Sequence, residues 1–425
     1  MSLLDQLSDP AVWQAFYEYK TSLACPKDFE KELDAFIRAQ AYVPVCRGIL
    51  AGEAFPIPRR CVISKMHSRK KRVVYIYPEA ENTVLKLLTW LLLRKYDGIF
   101  SKGLYSFRPG RSAKDAIRAL TGIPGIRQMY AYKADIHNYF NSVPPERLLP
   151  LLEEVTKDDP PLYRFLNGLL AEERVRDKDR IITEEKGIMA GTPQASFYAN
   201  LYLKALDESF AARGIPYARY SDDIIVFGRT REETEAFARE IKDFLLKADL
   251  VINPEKECFY TPEDGWTFLG FSFRDGEIDI APATVEKLKA KMRRKTRALA
   301  RWSKRNGLPG ERAAKAFIRI FKRKLLENAR DNELTWSYWF FSVINTSKSL
   351  KQIDAYAQDC IRFLMTGKRT KARFNVRYED MKAMGYRNLV HAYYEYKNED
   401  PSSFQAAAEG RNAGPEIGEG EGKEC

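Results

Sequence analysis

The sequence predicts an α+β fold, an antiparallel sheet followed by an all-helical C-terminal region, on three observations. The stretch Arg219-Tyr220-Ser221-Asp222-Asp223-Ile224-Ile225-Val226-Phe227-Gly228 reads as two short strands joined by a turn that carries two adjacent carboxylates. A second strand-like run, Tyr130-Ala131-Tyr132-Lys133-Ala134-Asp135-Ile136, also ends in an acid. From Thr284 the pattern turns helical, and Val285 to Lys397 holds 28 Lys or Arg against 10 Asp or Glu, so the basic surplus of a chain of net charge +12 is concentrated there.

Taken in order, residues 10–40 read as two helices, with Pro10 and Pro26 near their starts. Residues 55–78 read as a β-hairpin with Ser68–Lys71 as a basic turn, and 80–97 as a helix buried on its Leu-rich face. Ser112-x-x-Asp115 is a capping signal for the next helix. Residues 144–172 read as helical, Arg174–Ile182 as a hairpin around Asp177-Lys178-Asp179, and 194–213 as one helix. Thr230-Arg231-Glu232-Glu233 is a capping box, followed by Phe237, Ile241, Phe244, Leu245 and Ala248 at helical spacing. Strands near 257–261 and 266–273 complete the sheet region. A basic helix then runs from Thr284 to about Arg305 and ends at Gly307, with Val285, Leu288, Met292, Leu299 and Trp302 on one packed face. The Gly-, Ala- and Glu-rich stretch 399–425 reads as disordered.

A length of 425 residues allows a large core and two or three subdomains. A pI near 9.2 points to a polyanionic partner. The six cysteines form no Cys-x-x-Cys pair, and there are three histidines, which argues against a zinc site or disulfide framework and fits a reducing, cytoplasmic setting. The N-terminus has no basic signal-peptide region, and the apolar run at Val84–Leu93 is too short to span a bilayer.

Two neighbouring carboxylates repel unless a cation sits between them, and a hard divalent ion such as Mg²⁺ suits oxygen ligands. Asp at a turn also has a purely conformational explanation, and Asp135 alone could cap a strand end. Together, Asp135, Asp222 and Asp223 can form a two-metal site that activates an attacking hydroxyl and stabilises a leaving pyrophosphate.

Seven blocks in order resemble bacterial reverse transcriptases of the group II intron-like or unknown-group lineage. They are Lys65–Arg72 before Val73-Val74-Tyr75-Ile76-Tyr77-Pro78; Gly103-Leu104-Tyr105-Ser106-Phe107-Arg108-Pro109-Gly110-Arg111-Ser112; the Asp135 strand; Gly187–Pro193 running to Ala199-Asn200-Leu201-Tyr202-Leu203; the Tyr220–Asp223 hairpin; Asn253-Pro254-Glu255-Lys256; and Phe268-Leu269-Gly270-Phe271. The resemblance implies a right-hand polymerase: a helical N-terminal extension (1–54), fingers (55–128, with 144–190 shared between fingers and palm), a palm (129–275) and a basic helical thumb (282–398). It implies RNA-directed DNA polymerisation with two Mg²⁺ ions, Mn²⁺ as a substitute, and RNA template, dNTPs and DNA product as partners, with no membrane.

By the same resemblance, Asp135, Asp222, Asp223 and the Ile136 carbonyl would hold metal, and Lys256 would protonate the leaving pyrophosphate, although a surface lysine is its plain alternative. Lys65 and Arg72 would bind the triphosphate, with Arg69, Lys70 and Lys71 as competitors for the Lys65 role. Phe140 would be a steric gate against a ribose 2′-hydroxyl, or simple core. Ala190 stands where many relatives carry the glutamine of Pro-Gln-Gly that touches the nascent base pair; Gln194 fits the register less well. Arg108 and Arg111 would contact template phosphates or else hold their own loop, and Arg293, Arg294 and Arg297 would clamp the backbone. The runs Ile344–Leu350, Thr366-Gly367-Lys368, Tyr378–Lys382 and Gly385–Val390 resemble the helical end of stand-alone defence-associated reverse transcriptases of the type 2 kind, which implies an adjacent non-coding RNA and an antiviral role. A mobile-element enzyme, an untemplated polymerase and an RNA-binding scaffold are the alternatives.

Overall fold

The computed structural model describes residues 2–23, 27–64, 71–184, 187–327 and 336–398. Lys65, most of the expected basic turn and the stretch 399–425 lie outside them. The described residues form two compact units, one of residues up to Thr21 and from Lys27 to Gly276, the other of the residues from Glu277 together with Ser22 and Leu23. None of their helices is long and apolar enough to cross a membrane.

The first unit opens with α1 Leu3–Gln6, α2 Pro10–Ser22, α3 Lys27–Arg38 and α4 Val43–Ala51. It continues through β1 Arg59–Ser64, β2 Lys71–Ile76, α5 Glu79–Lys95, α6 Ala113–Thr121, β3 Tyr130–Asp135, α7 Pro145–Val155, α8 Pro160–Ala171, β4 Arg174–Asp177 and β5 Arg180–Thr183. Then come α9 Ala195–Tyr202, α10 Lys204–Ala212, β6 Tyr217–Tyr220, β7 Asp223–Gly228, α11 Arg231–Lys247, β8 Cys258–Tyr260, β9 Trp266–Phe268 and β10 Phe271–Arg274.

Two sheets organise this unit. One has the order β2-β1-β4-β5, in which the two hairpins are joined by a parallel β1–β4 contact. The other, β6-β7-β3-β8, is wholly antiparallel, and its strands β3 and β7 are the two acidic strands of the sequence. Their apolar residues Ala131, Ala134, Ile224, Ile225, Val226 and Phe227 are all buried, so burial holds the acidic ends at the sheet edge. The expected strand pair at 266–273 forms a separate hairpin, β9–β10, rather than extending this sheet. Tyr260 and Thr267 share a hydroxyl–hydroxyl bond at 2.8 Å, which ties β8 to β9 by side chains.

Caps behave as local chemistry predicts. Ser112 Oγ accepts from Asp115 N to start α6, and Thr230 Oγ1 accepts from Glu233 N to start α11. The helical stretch expected at 144–172 is two helices separated at 156–159, where Asp159 caps α8 by accepting from Leu162 N. Asp159 also accepts from Ser2 Oγ and Leu3 N, so the start of α1, an element the sequence reading missed, is pinned to the core. The expected helix 194–213 is likewise two helices, because Leu203 leaves helical geometry at ψ 13°.

The second unit comprises β11 Glu277–Ile280, α12 Pro282–Arg305, α13 Gly310–Leu325, α14 Trp336–Phe341, α15 Lys348–Thr366, α16 Tyr378–Ala383 and α17 Leu389–Asn398. Helix α15 packs against α12, α13 and α17. On α12, Val285, Met292 and Leu299 are buried as expected, but Trp302 is 39% exposed, with Thr296 and Ser303 turned inward instead. Asp354 of α15 is buried and accepts from Tyr386 Oη and from the Leu389 and Val390 amides, so it caps α17. Burial pushes its carboxyl up to about 6. Ser349 donates its Oγ to Asp279 Oδ2 at 2.8 Å. Much of the C-terminal sequence pattern is therefore bundle-holding chemistry.

Candidate active site

Strand β3 ends at Asp135 and β7 begins at Asp223, and the two face each other in register. The β6–β7 hairpin closes between Tyr220 and Asp223, which leaves Ser221 and Asp222 as a two-residue turn. Ser221 has φ +60°, the left-handed conformation normally given to glycine at such a turn. The Ile136 amide donates to the Asp222 carbonyl at 2.9 Å, and the Asn253 amide donates to the Asp135 carbonyl at 2.8 Å. The backbone of 135–136 is thus held between the acidic turn and the 252–256 segment. In that segment Asn253 Oδ1 accepts from the Glu255 amide, and the short turn Pro254–Lys256 delivers Lys256 Nζ to Asp135 Oδ2 at 2.5 Å.

The three carboxylates feel one another. Burial and then Asp135 raise the carboxyl of Asp222. Burial, then Asp222 and Asp135, push Asp223 up to about 6. Among the described residues no group of three or more His, Cys, Asp or Glu side chains is arranged to hold a metal ion. The chemistry of the donors still fits a hard divalent cation: they are all oxygens, they repel one another, and one of them is already neutralised by an ammonium.

A buried polar network lies beneath the turn. Arg219, fully buried, donates through Nε and Nη2 to both oxygens of Asp207 at 2.8 and 2.6 Å, through Nη1 to the Ser221 carbonyl and through Nη2 to the Asn200 carbonyl. Asp207 also accepts from Tyr217 Oη. Ser106 Oγ accepts from the Ser221 amide at 2.8 Å and donates to Asn200 Oδ1. These bonds hold Ser221 in its strained conformation. Arg219, Asp207, Ser106 and Asn200 were not singled out by the sequence reading; the one available signal was a charged residue inside an otherwise apolar strand.

The remaining site candidates fall out differently. Phe140 follows β3 in a short helical turn, is half-buried and meets Phe107 edge to face at 6.3 Å. Arg72 is exposed on β2 opposite Ile63. The segment carrying Ala190 lies against β2: the Tyr75 amide donates to the Ala190 carbonyl at 2.8 Å, and at Gly191, with φ +101°, an added Cβ would be strained and would press at 3.1 to 3.2 Å on Val74 and the Tyr75 carbonyl. Ala190 itself is 2% exposed and packs beneath β2. Gln194 is buried and hydrogen-bonded to Tyr77.

Of the two roles expected of Arg108, its bonds are those of the second, holding its own loop. All five of its N–H donors are used internally, on the Asp97 carboxylate and on the Asp97, Ser101 and Leu104 carbonyls. Arg108→Ala is therefore expected to cost roughly 1 to 3 kcal/mol of stability, because the Ser101 and Leu104 carbonyls lose their donor while the part-exposed Asp97 carboxylate stays solvated, without changing the salt dependence of nucleic-acid binding. Chemical denaturation and a salt titration of binding check the two halves. Arg111 donates one N–H to the Lys102 carbonyl and lies over the Tyr105 ring. It lines a cavity of about 430 Å³ that mixes Tyr19, Trp90, Phe107 and Tyr220 with Lys20, Lys86 and Arg94. Arg94 stacks on the Trp90 and Tyr19 rings at 4.1 and 4.4 Å.

Residues 63–273 match the family model for reverse transcriptase (RNA-dependent DNA polymerase). The chain contains a reverse transcriptase domain. All three acids, Lys256, Phe140 and the buried network lie within that domain, and the antiparallel sheet β6-β7-β3-β8 is its palm, in an α+β right-hand polymerase fold. An uncharacterised 91 kDa protein in a cob intron of Schizosaccharomyces pombe is 33% identical over 159 residues, 35% of this chain and 18% of that protein. The group II intron-encoded protein LtrA of Lactococcus lactis subsp. cremoris is 24% identical over 185 residues, 43% of this chain and 30% of LtrA. The chain thus spans less than a third of the length of these relatives. Among solved structures, apo telomerase from Candida tropicalis aligns with TM-score 0.45 and 11% identity, covering 78% of this chain and 69% of that one.

Proposed function

We propose that this protein copies RNA into DNA, with Asp135, Asp222 and Asp223 as its catalytic acids. The observation that carries the reading is the register of Asp135 against Asp223 across β3 and β7, with Asp222 at the turn, inside a reverse transcriptase domain. Asp135 and Asp222, with Asp223 and the Ile136 carbonyl beside them, would hold two Mg²⁺ ions (or Mn²⁺), which when bound supply charge compensation for the attacking 3′-hydroxyl and the leaving pyrophosphate. Lys256, bonded to Asp135, would pass a proton to the pyrophosphate. Arg72, with Lys65, would hold the triphosphate. The aromatic and basic cavity that opens at Tyr220 suits a single strand, whose bases stack while cations meet its phosphates.

Phe140 would exclude the ribose 2′-hydroxyl. Phe140→Ala is expected to raise ribonucleotide incorporation relative to deoxyribonucleotide by roughly 10- to 200-fold, the range of a steric pocket change. Competition assays with matched NTP and dNTP check this, and unchanged discrimination assigns Phe140 to the core.

The finer reading is antiviral defence in the cytoplasm with an adjacent non-coding RNA as template and partner, supported by the C-terminal sequence blocks. A group II intron-type or diversity-generating enzyme is the second reading, favoured by the intron-encoded relatives. The deciding experiment sequences the DNA made when the protein is co-expressed with its native flanking DNA, beside Asp222→Ala. Products matching a flanking transcript support templated synthesis on a neighbouring RNA. Homopolymer or random products replace it with untemplated polymerisation, and no product above the control sinks the polymerase reading.

A further inference from the structure

The C-terminal unit holds a cavity of about 500 Å³ between α12, α15 and the segment just beyond α15. Arg293 and Arg297 enter it from α12, one helical turn apart, and Arg369 and Arg373 enter from the far side. The chain reaches that side because Gly367, at φ +66°, ends α15 in the left-handed cap. Arg373 Nη1 then donates to the Arg369 carbonyl at 2.6 Å, which fixes the two arginines relative to each other. Arg369 sits over the Phe363 ring at 5.3 Å, and Arg293 Nε donates to Tyr356 Oη at 3.2 Å.

One carboxylate, Asp359, lines the cavity, and it lies near Arg373 at 3.5 Å and Arg362 at 3.6 Å. Four guanidiniums against one carboxylate leave an excess of three positive charges in one concavity. Convergence of like charges is unfavourable unless an anion joins them. Guanidinium forks match phosphate oxygens two at a time. A phosphodiester carries one negative charge, whereas a terminal monoester carries about two and offers three acceptor oxygens. The volume lies in the range of small-molecule sites, enough for one nucleotide and too small for a duplex.

We propose that this cavity seats a terminal phosphate monoester on a nucleotide-sized group, either the phosphorylated end of a nucleic acid or a free nucleoside monophosphate. Such binding is independent of polymerisation.

The test uses the full chain without divalent metal or dNTP. Fluorescence anisotropy compares a 5′-phosphorylated RNA oligonucleotide with its 5′-hydroxyl counterpart, and AMP and adenosine serve as competitors. The phosphorylated end is expected to bind roughly tenfold tighter, the effect of one or two charge-assisted bonds. AMP, but not adenosine, is expected to reduce that preference. Arg369→Ala and Arg373→Ala should each erase it. Arg369→Lys keeps the charge and loses the fork, so it should weaken the preference even where an alanine variant folds poorly; thermal unfolding reports folding in each case. Preference without AMP competition identifies a nucleic-acid end as the ligand, whereas competition by AMP adds the free nucleotide. Equal binding of the two oligonucleotides, or a preference that survives in folded Arg369→Ala, overturns the proposal.

Discussion

Asp222→Asn is expected to give a folded protein, no less stable than the parent in the absence of divalent metal, whose DNA synthesis falls by at least about 10³-fold, the scale on which one electrostatic contact to a transition state acts. The stability half follows from charge. Asp223 is raised to about 6 by burial, Asp222 and Asp135, so between its ordinary value and 6 the folded state binds this proton more tightly than the unfolded chain. Its ionised form therefore opposes folding above pH 6, and stability rises as the pH falls from 6 towards 4. Removing the Asp222 charge eases that repulsion, so at pH 7 to 8 in EDTA the variant should unfold at an equal or higher temperature. Mg²⁺ should raise the unfolding temperature of the parent and have little effect on the variant. A variant that polymerises normally removes Asp222 from the site, and one that unfolds early removes the repulsion argument.

What the sequence revealed here was local. The apolar runs of β3 and β7, the acids at their ends, and the Ser112 and Thr230 caps each follow from a few consecutive residues. The chain order of the blocks then carried the site, because Asp135, Asp222 and Lys256 each sit in a recognisable segment. What stayed hidden depends on contacts between distant residues. Nothing near Ser106 indicates that its hydroxyl will receive the amide of Ser221, 115 positions later. Arg108 and Arg111 look alike in sequence, yet Asp97 and three carbonyls draw the first inward while the second keeps a side facing a cavity. The same limit explains Trp302, which periodicity places on the packed face of α12, whereas the unit packs around smaller Thr296 and Ser303 there.

Asp207→Asn is expected to cost about 3 to 5 kcal/mol of stability, the loss seen when one partner of a buried ion pair is removed. Both side chains are essentially excluded from water, at 0% and 1% exposure, so Arg219 would keep its charge with no carboxylate to meet it. The activity consequence is separable. Arg219 Nη1 also bonds the Ser221 carbonyl at 3.2 Å, so the pair positions the turn that presents Asp222 as well as stabilising the fold. Replacing both partners by apolar residues of similar size, Arg219→Met with Asp207→Leu, should recover part of the lost stability, since it leaves no buried charge but orphans Tyr217 Oη and the Ser221 and Asn200 carbonyls. It should not recover the rate, because Ser221 loses a donor that holds its left-handed conformation. Denaturant unfolding with single-turnover nucleotide addition separates the two effects. A double variant that is stable and slow supports Arg219 as a positioning residue, and one that is stable and fully active reduces the pair to a packing device.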